Sequence, residues 1–377
     1  MLIPVKAWGF FVSIALFTTI FFQLHSRVDH PGQDGPCQIA VETSMQAGMA
    51  IDIYYPKGGC TSALDAPYPA IAYAHGFSFF GLSDGAGDNS GNGKHLASWG
   101  YIVAVPALPD DAEIRVEKII QVLNLVADAN GDMSSFLYEQ VDLERFAVVG
   151  HSLGGATALA VAARDARIKA VVALDPVYHA RTIIGGEYPV WDPAVEGPTI
   201  TVPVSILGAP ADACNSQADF EGIYPFVGST HKASFVLVDA SHCVFADPGN
   251  SGCDLLCGGD TSLELTQLNQ KYITAWLNYY LREQPDDYDY IYGAGTDADI
   301  VAGTIHLKFG DGRGILRVGM APCAGLVDGQ RERAAGLGLE IARDGIGHLA
   351  QCRGRRARQG LAVTAIGVEG GLRGRVG

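Results

Sequence analysis

Apolar and polar positions along the chain predict strands and helices in alternation between residues 38 and 281. Apolar and polar residues alternate in residues 38–42 and 49–55, which flank a glycine-containing turn and predict an antiparallel hairpin. Continuous apolar runs predict strands that are buried on both faces. These runs are residues 68–74, 101–106, 168–174, 202–207 and 233–238. The last of them is expected to be the final strand of the sheet.

Three stretches have the apolar spacing of helices, and they are residues 94–99, 110–130 and 263–281. Residues 78–93 are rich in glycine, aspartate and serine and are predicted to be a loop. Strands that alternate with helices favour an α/β fold, with a mostly parallel sheet, helices on both faces and the hairpin at one edge. Functional sites in such sheets form at the carboxyl ends of the strands.

A short apolar strand leads into the pentapeptide Gly150-His151-Ser152-Leu153-Gly154, and an alanine-rich helix follows it. This is the G-x-S-x-G pattern of a nucleophile elbow, in which a serine occupies a sharp strand-to-helix turn. The residues two before and two after the serine must be small, because neighbouring backbone approaches them closely. The strand, turn and helix provide the context that the pattern requires, so Ser152 is the candidate nucleophile. The alternative is a serine that only caps a buried helix.

A serine hydroxyl needs a base within hydrogen-bonding reach, and the base needs an acid that fixes its tautomer. His242 follows the last predicted strand, and the chain order serine, acid, histidine is the order expected for this topology. Two acids follow predicted strands between these residues, namely Asp175 and Asp212. Both strand ends flank the same crevice, so the residues alone leave the choice of acid open.

An ester hydrolase also needs two backbone N–H groups that point at the developing oxyanion. The amide of Leu153 is the first candidate, because it directly follows the serine at a helix N-terminus. The amide of Phe77 is the second, in the loop after the strand at residues 68–74. This chemistry requires no cofactor and no metal. The acidic loop at residues 84–92 is interpreted as solvated, because its spacing does not match a calcium-binding EF-hand.

The formal net charge of −15 argues against a nucleic-acid partner, because few basic groups are available to neutralise phosphates. Residues 1–25 contain a lysine followed by a long apolar run, which indicates a secretory signal peptide or a retained signal anchor. Retention would associate the protein with a membrane. Residues 311–377 are rich in glycine and arginine and are predicted to be a disordered tail. We therefore predict a catalytic domain at residues 37–285 and a connecting segment at residues 286–310.

Eight cysteines favour an exported protein in an oxidising compartment, either secreted or membrane-anchored. The sequence cannot assign their connectivity uniquely. Three disulfide pairings are put forward as hypotheses: Cys37–Cys60, Cys253–Cys257 and Cys214–Cys243.

Residues 37–283 resemble the α/β-hydrolase superfamily, within the group of chlorophyllases, plasma-type platelet-activating-factor acetylhydrolases and cutinase-like polyester hydrolases. The resemblance rests on residues 75–77, 95–104, 150–157, 173–175 and 242–247. In chlorophyllases the aspartate of an Asp-Pro-Val segment, here Asp175, is the triad acid. Polyester hydrolases take the acid from the next strand, where this chain has Asp212. They also link the acid and histidine loops by a disulfide, which a Cys214–Cys243 bond would imitate.

The stronger of these matching blocks contains Asp175, which we therefore favour as the acid. Chlorophyllases usually carry arginine after the serine, and Leu153 departs from that pattern. The resemblance implies a serine carboxylic-ester hydrolase for a hydrophobic or lipid-like ester. A polyester or cutin hydrolase, a short-chain esterase, a peptidase or a thioesterase would use the same residues. The alternative from another class is a catalytically silent, membrane-anchored binding protein.

Overall fold

The computed structural model describes residues 30–46, 48–77, 87–178, 180–181, 187–188, 191–246, 253, 257–258 and 262–309. The predicted signal segment at residues 1–25 and the predicted tail at residues 311–377 lie outside the described residues, and so does the first part of the acidic loop. Their assignments stay predictions. Among the described helices, none combines the length and the apolar character needed to cross a bilayer.

The described strands are β1 (Gln38–Gln46), β2 (Met49–Gly58), β3 (Tyr68–Ala74), β4 (Ile102–Pro106), β5 (Val141–His151), β6 (Ile168–Leu174), β7 (Ala180–Arg181), β8 (Glu187–Tyr188), β9 (Val204–Gly208), β10 (Lys232–Leu237) and β11 (Ile305–Phe309). Within the described residues, nine of them form one sheet in the order β1-β2-β4-β3-β5-β6-β9-β10-β11. The strands from β4 to β10 in this order are parallel. The strands β1, β2 and β11 pair in antiparallel fashion at the two edges.

The described α-helices are α1 (Ser90–Ser98), α2 (Ala112–Gly131), α3 (Leu153–Arg164), α4 (Pro193–Glu196), α5 (Asp219–Ile223), α6 (Leu263–Leu281), α7 (Tyr288–Ile291) and α8 (Ala294–Ala302). Side chains of α2 and α3 form one apolar core with alternate residues of the central strands. Side chains of α1 and α6 form a second core on the opposite face. Strand β3 contributes Ala72 to the first core and Tyr73 to the second, as expected for a strand covered on both faces. The predicted α/β fold with an N-terminal hairpin is therefore confirmed.

Two elements differ from the predicted pattern. Helix α1 begins at Ser90, inside the stretch that was predicted to be a loop. Strand β11 extends the sheet beyond β10, which was expected to be the last strand, and it pairs through Leu237 and Ile305. Residues 286–309, predicted to be a connecting segment, thus contain the two helices α7 and α8 and an edge strand of the sheet. A five-residue strand gives too short an alternating pattern to be recognised at the end of a helical region.

Three disulfides link the described cysteines, namely Cys37–Cys60, Cys214–Cys257 and Cys243–Cys253. The first confirms the predicted pairing, whereas the predicted Cys253–Cys257 and Cys214–Cys243 bonds are wrong. Cys253 and Cys257 are four residues apart in the chain, and their sulfurs lie 3.7 Å apart without being bonded to each other. Cys253 is bonded to Cys243, the residue after His242, and Cys257 is bonded to Cys214 in the loop that carries Asp212.

Candidate active site

Ser152 is the single residue between β5 and α3, and its backbone has φ 59° and ψ −125°. A non-glycine residue with positive φ is strained, and it is retained where the surrounding structure forces the conformation. The N–H of Ser152 donates to the carbonyl of Leu174 at 2.9 Å, and the N–H of Val177 donates to the carbonyl of Ser152 at 3.1 Å. Both partners come from β6 and the loop after it. The turn is therefore fixed by the neighbouring strand and has the geometry of a nucleophile elbow.

The elbow requires glycine at the positions that the pattern specifies. A Cβ added at Gly150 would lie 2.5 Å from the carbonyl carbon of Gly154. A Cβ added at Gly154 would lie 2.5 Å from the carbonyl oxygen of His75. Separations of this size do not occur between non-bonded atoms in well-packed proteins, so either side chain would force the turn apart. No side chain fits at either position, so Gly150 and Gly154 must both be glycine.

His242 begins a 3₁₀ turn that follows β10, and its side chain is buried. Its Nδ1 lies 2.6 Å from Oδ2 of Asp175, which is also buried. The other carboxylate oxygen of Asp175 accepts a hydrogen bond from the N–H of Ala209 at 3.2 Å. A carboxylate that accepts from Nδ1 leaves Nε2 of the imidazole free of hydrogen, which is the tautomer that a general base requires.

Asp212 contacts the backbone of His242, whereas Asp175 contacts the His242 ring. Its Oδ2 accepts from the N–H of His242 at 2.6 Å. Its Oδ1 accepts from the N–H groups of Cys214 at 2.9 Å and of Asn215 at 3.0 Å. The two acids that the sequence left open therefore hold different parts of His242, the ring in one case and the main chain in the other.

His151 packs beside His242, with the ring centroids 4.6 Å apart. Its Nε2 donates to the carbonyl of His242 at 2.9 Å. Burial and the nearby charge of His242 hold the pKa of His151 well below its ordinary value. His151 is therefore a neutral support that fixes the position of the His242 main chain.

The loop after β3 passes directly beside the elbow. A Cβ added at Gly76, the residue before Phe77, would lie 3.2 Å from Cβ of Ser152. Phe77 is half-buried and Leu153 is buried at the first position of α3. The two residues predicted to supply oxyanion donors thus come from the loop and the helix that flank Ser152.

Arg115 is a site residue that the sequence pattern did not identify. Its guanidinium is fully buried and donates to the carbonyl oxygens of His75 and Gly76 in the loop before Phe77. Arg115 lies four residues before Ile119 and seven before Val122, both of them buried in the apolar core of α2. An arginine on the apolar face of an amphipathic helix was therefore the available signal.

Only one group of described side chains is close enough together to hold a metal ion, namely the sulfurs of Cys243, Cys253 and Cys257, which lie within 4.8 Å of one another. All three are oxidised in disulfides. Cysteine binds a metal through its thiolate, so these sulfurs do not form a metal site in the oxidised protein.

Comparisons with known proteins identify the family to which the chain belongs. The sequence profile of the PET hydrolase-like family matches residues 35–291. The chain is similar to two cutinases of Thermobifida alba: est1, with 27% identity over 222 residues, and est2, with 28% identity over 224 residues. Each of these alignments covers 56% of this chain and 64% of the cutinase. It is also 26% identical over 251 residues to chlorophyllase-1 of Arabidopsis thaliana, covering 57% of this chain and 72% of the chlorophyllase.

The chain thus spans 64% of the length of the two cutinases. These similarities confirm the resemblance to polyester hydrolases and chlorophyllases that the motifs implied. The family profile begins before β1 and ends in α7, so it covers the central sheet and the elbow. Since that match includes more than half of the chain, the protein belongs to the PET hydrolase-like family.

Proposed function

We propose that the protein is a serine carboxylic-ester hydrolase in which Ser152, His242 and Asp175 form the catalytic triad. The observation that carries the proposal is the buried contact of 2.6 Å between Nδ1 of His242 and Asp175, beside a serine held in a strained strand-to-helix turn. A carboxylate buried against an imidazole is costly to desolvate, and such a pair is typical of a functional site.

In the acylation step, Oγ of Ser152 attacks the ester carbonyl and passes its proton to Nε2 of His242. Asp175 stabilises the imidazolium that forms and keeps the ring oriented. The amides of Phe77 and Leu153 donate to the oxyanion of the tetrahedral intermediate. The imidazolium then gives its proton to the leaving alcohol, and an acyl-enzyme remains.

In the deacylation step, His242 takes a proton from water, and the hydroxide equivalent attacks the acyl carbonyl. Collapse of the second tetrahedral intermediate returns the proton to Ser152 and releases the carboxylic acid. The net reaction consumes one ester and one water and produces one acid and one alcohol. Every proton moves through His242, so this chemistry needs no cofactor.

The substrate class that we propose is a hydrophobic or lipid-like ester. Similarity to cutinases and a chlorophyllase supports an apolar acyl or alcohol group. A polyester or cutin hydrolase is the second candidate, favoured by the match to the PET hydrolase-like profile. The same triad would also serve a short-chain esterase.

The protein acts in an oxidising compartment, and we propose secretion. Three disulfides among the described residues support this localisation, because such bonds persist outside the reducing cytosol. Two of them tie the loops that carry Asp212 and His242 to residues 253 and 257.

The test combines active-site labelling with a substrate panel on the full-length oxidised protein. A fluorophosphonate probe should label wild type and fail to label Ser152→Ala. Nitrophenyl acetate, nitrophenyl butyrate, longer nitrophenyl esters, a polyester film and chlorophyll then separate the substrate classes. Peptide and thioester substrates serve as controls for a peptidase or a thioesterase.

Rising kcat/KM with acyl length would support a hydrophobic-ester hydrolase, and release of soluble acid from the film would favour the polyester candidate. Labelling that is equal in wild type and Ser152→Ala would refute Ser152 as the nucleophile. A folded, oxidised wild type without labelling or turnover would instead indicate a catalytically silent binding protein.

A further inference from the structure

Arg115 lies in the first turn of α2, and its side chain has no solvent-exposed surface. Its Nη1 donates to the carbonyl of Pro109 at 2.9 Å. Its Nη2 donates to the carbonyl of His75 and, at 3.3 Å, to that of Gly76. One rigid guanidinium thus joins three backbone carbonyls from two loops, both of which follow strands at the carboxyl edge of the sheet.

This arginine remains charged in the folded protein. Burial lowers the pKa of Arg115 to about 10, while the charge of Asp110 acts in the opposite direction. A pKa of about 10 keeps the guanidinium protonated at neutral pH. Burying a charge is costly unless the geometry uses it. An apolar side chain at this position would cover the same core surface without that cost, so packing alone does not account for an arginine here.

The side chain of His75 restrains the same loop through two further hydrogen bonds. Its Nε2 accepts the N–H of Leu108 at 2.8 Å, so the ring hydrogen is on Nδ1. That nitrogen lies 2.7 Å from the carbonyl oxygen of Gly76 and donates to it. Burial lowers the pKa of His75 to about 3, so the ring stays neutral and keeps this tautomer. The carbonyl of Gly76 therefore accepts from two buried side chains.

The carbonyl of Gly76 and the N–H of Phe77 belong to one peptide plane. In a trans peptide the C=O and the N–H point in opposite directions. A carbonyl held toward Arg115 and His75 turns the following N–H away from α2. We propose that Arg115 is a positioning residue of the oxyanion hole, which sets the direction of the Phe77 amide and polarises the Gly76–Phe77 peptide. This inference rests on the ester-hydrolase function proposed above.

Polarisation follows from the charge of the donor. A charged donor on a carbonyl oxygen is stronger than a neutral one and draws electron density from the amide nitrogen on the same peptide. The N–H of Phe77 becomes a better donor toward a developing oxyanion. This interaction strengthens only as negative charge forms, so it acts on the transition state more than on substrate binding.

The test uses Arg115→Lys and Arg115→Met in the full chain, with Arg282→Met as the matched control. Arg282 is also a buried arginine that donates to a backbone carbonyl, that of Gly100. Gly100 precedes β4 and so lies at the amino-terminal ends of the parallel strands, whereas Ser152 lies at their carboxyl ends. Loss of Arg282 is expected to lower Tm while leaving the turnover of the folded protein unchanged. The lysine variant keeps charge and most of the volume at position 115, so it remains informative if the methionine variant does not fold.

The readouts are kcat and KM on nitrophenyl butyrate and the ratio of kcat/KM between an ester and its thionoester. An oxyanion hole stabilises a developing oxygen anion better than a sulfur anion, so damage to the hole lowers the ester rate selectively. We expect a fall of about 10- to 100-fold in kcat for Arg115→Lys, because small misplacements of catalytic groups have effects of this size. KM should change by less than about threefold, and the ester-to-thionoester ratio should fall with kcat.

An unchanged ratio in a folded Arg115→Lys protein would overturn the inference, and so would an equal fall in the ratio for Arg282→Met. These outcomes are distinct from a failure of the proposed function. In that case wild type itself would hydrolyse neither ester and would not react with a fluorophosphonate at Ser152.

Discussion

Replacing Asp175 with asparagine is expected to remove most of the turnover on an activated ester, whereas the same change at Asp212 should remove much less. At position 175 the N–H of Ala209 donates to Oδ1 at 3.2 Å and would hold the amide oxygen of the new asparagine. The amide NH₂ would then face Nδ1 of His242. Because an NH₂ group can only donate, the imidazole would carry its hydrogen on Nε2 and could not accept the proton of Ser152.

The size of this effect follows from the tautomer. The corresponding substitution in serine proteases lowers kcat by about 10⁴, or roughly 5 kcal/mol of transition-state stabilisation. At position 212 the carboxylate accepts from backbone N–H groups, among them that of His242 at 2.6 Å, and it has no contact with the imidazole ring. An asparagine there must set its NH₂ against a backbone N–H, so it displaces the histidine slightly. Displacement of a catalytic group lowers kcat by up to about 100-fold.

The assay is kcat and kcat/KM on nitrophenyl butyrate for Asp175→Asn, Asp212→Asn and the double variant. Circular dichroism and Tm for each variant serve as controls for folding. The kcat of Asp175→Asn should be at least 100-fold lower than that of Asp212→Asn. A 10⁴-fold loss in Asp212→Asn together with a loss under tenfold in Asp175→Asn would refute the assignment of Asp175 as the acid.

Three further outcomes are expected. Gly154→Ala should lower Tm and reduce kcat at least tenfold, because the new methyl group would meet the carbonyl oxygen of His75 at 2.5 Å; Gly131→Ala, which meets no atom within 4 Å, is the control. Burial raises the pKa of Asp287 to about 7, so the folded protein keeps a proton that the unfolded chain releases near pH 4. As the pH rises from 4 to 7, the free energy of unfolding of wild type should therefore fall relative to that of Asp287→Asn by up to about 1.4 kcal/mol per pH unit. Urea titration at several pH values measures this difference, and a difference that stays constant would contradict the prediction. Removing the disulfide that closes the 10-residue loop, by serine at positions 243 and 253, should destabilise the protein by about 3 kcal/mol, and an unchanged Tm would argue against that bond.

The central sheet and the elbow were predictable because each depends on local pattern. A strand buried on both faces is apolar throughout, as in β3, and the elbow restricts the positions two before and two after Ser152 to glycine. The place of His242 after a strand was predicted from the apolar run before it, and its role as the base stays a proposal. Each of these features is set by residues that are neighbours in the sequence, so the sequence pattern is enough to predict it.

The remaining features depend on long-range geometry. Residue pattern alone could not separate Asp175 from Asp212, since both follow adjacent parallel strands and both reach the same histidine. The structure distinguishes them by what each carboxylate contacts, the ring of His242 for Asp175 and its main chain for Asp212, and the proposed choice of acid rests on that difference. Arg115 was overlooked because an isolated arginine in an amphipathic helix is usually solvent-exposed. The carbonyls that it binds come from loops up to 40 residues away in the chain.

The cluster of four cysteines beside the histidine loop has a consequence for how the protein must be produced. Four thiols can pair in three ways, and the sulfurs of Cys253 and Cys257 lie only 3.7 Å apart although they belong to different bonds. During oxidative folding the shortest loop would close first, giving a Cys253–Cys257 bond that the native protein does not contain. A chain that forms this bond reaches the native pairing by thiol–disulfide exchange. We expect the yield of active protein to depend on a disulfide isomerase or a glutathione buffer more than on chain solubility.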